Sequence, residues 1–252
     1  MIKKLSFISL YVLLTVLLVS CSTKEKSVLR IGMNVEFPPF ASIVDSTFVG
    51  VDVDISHKIA EKLDMPYEIV NMQFDNLINA LNSDKVDLII SAMSITEDRA
   101  RIVDFSKPYY RATQVLIASD KSPEMPESEE QLKNFKIGVL HGSTAHKYVT
   151  ETFVDKDLMP KSAMLSYATN TEAIADLIAG NIDFMVNDSS AAFGFSQSHP
   201  IFMGMELDTL EEYAIAMPRD GRYNEKVKNA LQDLIDSGEL ASIISNYIAA
   251  PK

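Results

Sequence analysis

"SAMSITEDRARIVDFSKPYY" occupies residues 91–110, and its reading decides the fold, because an apolar run, VDLIIS from Val86, ends there in hydroxyls and an arginine at a helix start. Thr96 reads as an N-cap, and Glu97 and Asp98 fall where the helix dipole favours acids. Arg99 in the same first turn works against that field. A bound anion resolves the conflict, since a guanidinium fork and helix-start amides both point donors at a carboxylate or phosphate. The alternative is a solvated arginine paired with Asp98 or Asp104. Local sequence leaves both open.

Working outward, VDLIISA (86–92) shows almost no polar alternation, as in parallel strands covered by helices on both faces. VLRIGMN (28–34) reads as a strand stopped by the Pro38–Pro39 turn, and Val53, Ile55, Ile59 and Leu63 recur at helical spacing. YEIVNM (67–72) reads as a strand and FDNLINALNSD (74–84) as a helix. The alternation repeats in FKIGVLHG, a helix from Ser143, AMLSYAT, TEAIADLIAG and IDFMVND. Two βαβ-rich halves result, with the break near residues 109–119. YYRATQVLIAS (109–119) and EYAIAMP (212–218) are β-rich and suit two strands crossing between lobes as a hinge. Strand ends after Asn34, Ser91, Leu140 and Asp188 would then face one cleft.

The N-terminus carries Lys3 and Lys4, sixteen uncharged residues from Leu5 to Ser20, and the chain's one cysteine at Cys21. This is the pattern of a secretory leader, too short for a membrane span. LVSC (18–21) resembles a bacterial lipoprotein box, which implies cleavage after residue 20, lipid on Cys21 and a polar tether over 21–27. Losing residues 1–20, with two lysines and no acids, takes the formal net charge from −12 to −14. That balance argues against nucleic acid as a partner. One cysteine forms no intramolecular disulfide, and His57, His141, His146 and His199 make no metal-ligand motif. No cofactor and no metal are expected, since GVLHGST lacks the lysine of a phosphate loop.

Six pieces together resemble a known family: IGMNVEFPPF, GVDVDI (50–55), FDNLINAL (74–81), residues 86–110, IGVLHGST (137–144) and IDFMVND (182–188). They are similar to the amino-acid-binding proteins of ABC importers, the type II periplasmic binding proteins or family 3 solute-binding proteins. The resemblance implies an α/β fold of two lobes, each a mostly parallel sheet flanked by helices, joined by two crossover strands. Lobe 1 is expected over 28–111 and again over 211–252, with lobe 2 over 112–210.

On this resemblance Arg99 grips the α-carboxylate of a bound amino acid, helped by Ser94 and, from the other lobe, Thr144. Asp188 and Ser91 take the α-ammonium, and Phe37 and Phe74 sandwich the side-chain stem. For Asp188 the alternative is a helix N-cap before SSAAFG, and for the two phenylalanines it is the core. Asn34 stands where several relatives that hold basic amino acids carry an acid, with Glu36 two residues on as a substitute charge, and Ala92 replaces a serine. The ligand stays open between an arginine or lysine type and glutamine or another polar L-amino acid.

The expected partners are that amino acid, an ABC permease in the inner membrane, and the membrane itself through lipid on Cys21. A monomer at the extracytoplasmic face of the cell envelope is expected. An enzyme is disfavoured: SSAAFGFSQS after Asp188 holds no carboxylate for acid catalysis, and neither His141 nor His146 has a nucleophile at motif spacing. A sensor or an adhesin would use the same pocket; no kinase segment or spanning helix follows before Lys252, so a sensor would signal through a separate partner.

Overall fold

A computed structural model describes residues 27–248. The expected leader, Cys21 and all of the tether except Ser27 lie outside the described residues. The chain begins with β1 (Leu29–Met33), the hairpin of β2 (Ser42–Val44) and β3 (Thr47–Val49), α1 (Val51–Lys62), β4 (Tyr67–Asn71), α2 (Leu77–Asn82), β5 (Leu88–Ile89), α3 (Glu97–Ala100) and β6 (Asp104–Phe105). It crosses through β7 (Tyr110–Ala112) and β8 (Gln114–Ser119). Next come β9 (Ile137–Leu140), α4 (Thr144–Val149), β10 (Met164–Tyr167), α5 (Asn170–Ala179), β11 (Phe184–Asp188), α6 (Ser189–Ser196) and β12 (Ile201–Glu206). It returns by β13 (Glu211–Tyr213) and β14 (Ala216–Met217), then closes with α7 (Asn224–Asp236) and α8 (Glu239–Tyr247).

Two five-stranded sheets result, in the orders β4-β1-β5-β14-β6 and β10-β9-β11-β8-β12. In each, four strands share one direction and the fifth runs against both neighbours: β14 in the first and β8 in the second. The reversed strand is in each case the one that arrives from the crossover. β7 and β13 pair antiparallel with Ala112 opposite Glu211 and Tyr110 opposite Tyr213, so both crossings lie in one ribbon.

Local sequence explains the elements. α1 buries Val51, Ile55 and Ile59 on one face against β1 and β5, at the i, i+4 spacing of a helix stripe. Thr169 and Glu172 form a reciprocal capping box on α5, which ends at Gly180 in the left-handed region, φ 80°. One expectation is shortened: the strand read over 86–92 pairs only at Leu88–Ile89. Ala92 takes φ +44°, and its amide turns to the Asp52 carboxylate, so the backbone leaves the sheet and becomes a loop at its carboxyl end.

The lobes meet face to face. Phe37 packs on the cores of both, and a Cβ on Gly194 of α6 would stand 2.5 Å from the Pro38 carbonyl oxygen. Lys147 of α4 pairs with Asp98 of α3. Among the described residues no helix is long and apolar enough to cross a membrane. In the second lobe, fully buried Phe184 stands edge-on to Phe135, with ring centroids 5.1 Å apart. Phe184→Ala is expected to cost about 3–5 kcal/mol, read by urea unfolding, because the emptied volume sits between a sheet and its covering chain.

Candidate ligand-binding cleft

A cavity lies between the lobes at the carboxyl ends of β1, β5, β9 and β11. Eight of the nine residues singled out in the sequence line it: Asn34, Phe37, Phe74, Ser91, Ser94 and Arg99 from one side, Thr144 and Asp188 from the other.

Thr96 caps α3 as expected, its Oγ1 accepting from the Arg99 amide at 3.2 Å. The Arg99 side chain is not paired with Asp98 or Asp104. Nη1 donates to the Ser94 carbonyl at 2.8 Å, and Nη2 donates across the cleft to the Gly142 carbonyl at 3.0 Å. The guanidinium lies over the Phe74 ring, 5.3 Å from its centroid. Two of five N–H donors are thus fixed by carbonyls, and the fork keeps donors for a carboxylate. Burial lowers the Arg99 pKa to about 10, opposed by the Glu211 and Asp188 charges.

Asp188 occupies the N-cap position of α6 but makes no cap bond. Its carboxylate instead accepts from the Tyr213 hydroxyl of β13. Burial, then the neighbouring Glu211, pushes its pKa up to about 7, with Tyr213, Arg99 and Gln114 pulling the other way. Thr144 Oγ1 accepts from Gln114 Nε2 at 3.0 Å, which leaves its own proton to donate into the cavity. Ser91 Oγ accepts from the Asn34 amide at 2.9 Å and is likewise left with a proton to give.

Glu36 corrects the sequence reading. It is exposed and outside the cavity lining. Its carbonyl accepts from Asn170 Nδ2 at 3.2 Å, and its carboxylate lies 3.5 Å from Thr171 Oγ1, so it spans the rim between lobes. The Pro38–Pro39 turn that follows aims Phe37, not Glu36, inward. Asn34 does line the cavity, with Nδ2 held by the Met72 carbonyl at 3.1 Å. His146 Nδ1 accepts from the Gly142 amide at 3.2 Å, beside His141. Among the described residues no group of three or more His, Cys, Asp or Glu is placed to hold a metal.

Sequence reasoning missed Asp52, Gln114, Glu211 and Tyr213. Asp52 looked like an ordinary first-turn acid of α1. It is fully buried, accepting from the Ala92 amide at 2.7 Å and the Tyr109 hydroxyl at 2.7 Å, and so holds the loop that carries Ser91 and Ser94. The other three lie on crossover strands, where the sequence signalled only a hinge.

Two lobes, a reversed strand in each sheet and a cavity between strand ends define a cleft-binding protein. The chain matches the bacterial extracellular solute-binding proteins, family 3, over residues 29–250 and belongs to that family, which is extracytoplasmic. It is 36% identical to an L-arginine-binding protein of Pseudomonas aeruginosa over 64% of this chain and 60% of that protein. It is 35% identical to the lysine/arginine/ornithine-binding periplasmic protein of Escherichia coli over 70% of this chain and 68% of that one. An ancestral arginine-binding protein solved with arginine is 32% identical and superposes with a TM-score of 0.81, covering 89% of this chain and all of that one. These relatives are binding proteins of transport systems, not enzymes.

Burial raises the Asp52 pKa from 3.8 to about 7, against its hydrogen bonds to Tyr109 and Ala92. Between those values the native carboxyl holds a proton that the unfolded one has lost, so its contribution to stability falls as pH rises through that window, by up to about 1.4 kcal/mol per unit. Asp52→Asn is expected to remove this part of the slope in denaturant unfolding followed from pH 4 to pH 7.

Proposed function

We propose that this protein captures an L-amino acid by closing its two lobes, and that the observation carrying this reading is Arg99 and Asp188 facing one cavity from opposite lobes. A zwitterion leaves water only if both charges find hydrogen-bonded partners. Arg99 serves the carboxylate with Ser94 and the Thr144 hydroxyl; Asp188 serves the ammonium with Ser91. Closure adds the second set of contacts to the first, so ligand shifts the population toward the closed form. The proposed lobes are 28–111 with 211–252, and 112–210, in a protein that acts as a monomer.

A basic amino acid, arginine above all, suits the pocket. The names of the relatives support it, and so do the Phe37 and Phe74 rings, because a guanidinium stacks on aromatic faces and accepts neutral partners such as the Asn34 amide oxygen. A lysine ammonium, more strongly hydrated, gains less there. Glutamine fits the neutral amides too, and an ancestral arginine-binding protein was solved bound to it, so it is the second reading. Lipid on Cys21 holds the carrier at the membrane, where the closed form passes its cargo to an ABC permease.

A thermal-shift screen against the twenty amino acids tests this. A true ligand at a hundred times its dissociation constant stabilises by about 2.7 kcal/mol, and Arg99→Ala abolishes every such shift. No response to any amino acid overturns the reading. Gly194→Ala, which sets a methyl against the Pro38 carbonyl only when the lobes close, is expected to weaken binding on the order of tenfold while leaving the ligand-free melting temperature within a few degrees. Calorimetric titration of the variant reads both.

A further inference from the structure

Arg99 sends one hydrogen bond across the cleft to a backbone carbonyl, that of Gly142, and Arg99 belongs to the ligand site. Asn170 sends a second across, and amino-acid capture as set out above gives it no part. It opens α5, is 1% exposed and stands outside the cavity lining. Its Nδ2 donates to the Glu36 carbonyl of the first lobe at 3.2 Å. Neighbouring groups fix which way this amide faces. Asn187 Oδ1 accepts from the Asp188 backbone amide at 2.8 Å, so Asn187 turns its Nδ2 outward and donates to Asn170 Oδ1 at 2.9 Å. With its oxygen taken, Asn170 has only its NH2 to offer the other lobe, and the Glu36 carbonyl can only accept. The string from Asp188 through Asn187 and Asn170 to Glu36 therefore runs in one direction, with a backbone group at each end. Glu36 immediately precedes Phe37, whose ring lines the cavity and packs on the cores of both lobes.

We propose that Asn170 is a positioning residue for capture: it latches the closed form by holding the Glu36 carbonyl, and through it Phe37, without touching the ligand. The inference rests on the amino-acid reading above. When the lobes are apart, water serves both the Asn170 amide and the Glu36 carbonyl. When they meet, Asn170 is buried, and a donor or acceptor left unmet there would count against closure. The bond between the two removes that cost only in the closed form. Because it joins lobe to lobe, its contribution is common to every ligand and sets how long the cleft stays shut rather than which amino acid it holds. The neighbouring approach of Thr171 Oγ1 to the Glu36 carboxylate, at 3.5 Å between exposed groups, lacks this dependence on burial.

Calorimetric titration of the purified protein with L-arginine, L-lysine and L-glutamine measures affinity, and stopped-flow tyrosine fluorescence measures the rates. Asn170→Ala is expected to weaken every amino acid that the wild type binds by one common factor, on the order of tenfold, as for a buried carbonyl that loses its donor. The loss lies in faster dissociation, because the latch forms only once the lobes have closed. Asn170→Asp keeps an acceptor for Asn187 and an acid where the α5 dipole favours one, but has no proton for Glu36. It is expected to weaken L-glutamine, whose side chain carries no charge, as much as Asn170→Ala does. Wild-type affinity in Asn170→Ala, a loss confined to one amino acid, a loss carried by slower association, or wild-type glutamine binding in Asn170→Asp overturns the role of Asn170. Should Asn170→Ala fail to fold by circular dichroism, Asn170→Ser, also too short to reach Glu36, takes its place. No heat from any amino acid overturns capture itself and the latch with it, whereas binding indifferent to residue 170 overturns the latch alone.

Discussion

The register of the short ribbon between β7 and β13 is the constraint on which the site depends. With Ala112 opposite Glu211 and Tyr110 opposite Tyr213, Glu211 and Tyr213 point inward while Glu212 points out to Arg111, whose Nε donates to it at 2.9 Å. A slip of one residue would exchange the faces. Tyr213 would lose Asp188, Gln114 would lose Glu211, and the outer Arg111 pair would be driven into the core. The ribbon is therefore both the mechanical link between lobes and the support for two of the residues that face the cavity.

The same economy appears in the first lobe. Asp52 sits in the first turn of α1, where an acid favours the helix dipole, yet its carboxylate is spent on the Ala92 amide and Tyr109. That pair of bonds holds Ala92 in a conformation a non-glycine residue rarely adopts, and so ends β5 early. The loop freed from the sheet presents Ser91 and Ser94 to the cleft, and the Ser94 carbonyl in turn holds Arg99. Strain in one backbone residue is thus offset by a buried carboxyl that touches nothing in the cavity.

Contacts at the mouth of the cleft are of a different kind. Lys147 with Asp98, and the Glu36 carboxylate with Thr171 Oγ1, join side chains that water can reach. Such pairs contribute little stability each, which suits surfaces that must part. The deep contact of Tyr213 with Asp188 lies where water is excluded, and a polar bond there counts for more.

Local patterning determined much by itself. Periodicity placed the strands and helices, the conflict between Arg99 and its helix dipole singled out Arg99 while leaving an anion site and a solvated ion pair both open, and the ends of β1, β5, β9 and β11 marked where a cleft would lie. These are nearest-neighbour effects, written within a few residues of each other. Tertiary structure alone decided which acids serve the site. Asp188 abandoned its cap for Tyr213, twenty-five residues away, Glu36 turned to the rim, and Glu211 rather than Glu212 turned inward. Burial and long-range pairing, not residue type, set where a carboxylate points and what holding a charge there costs, and neither is recorded in any short stretch of chain.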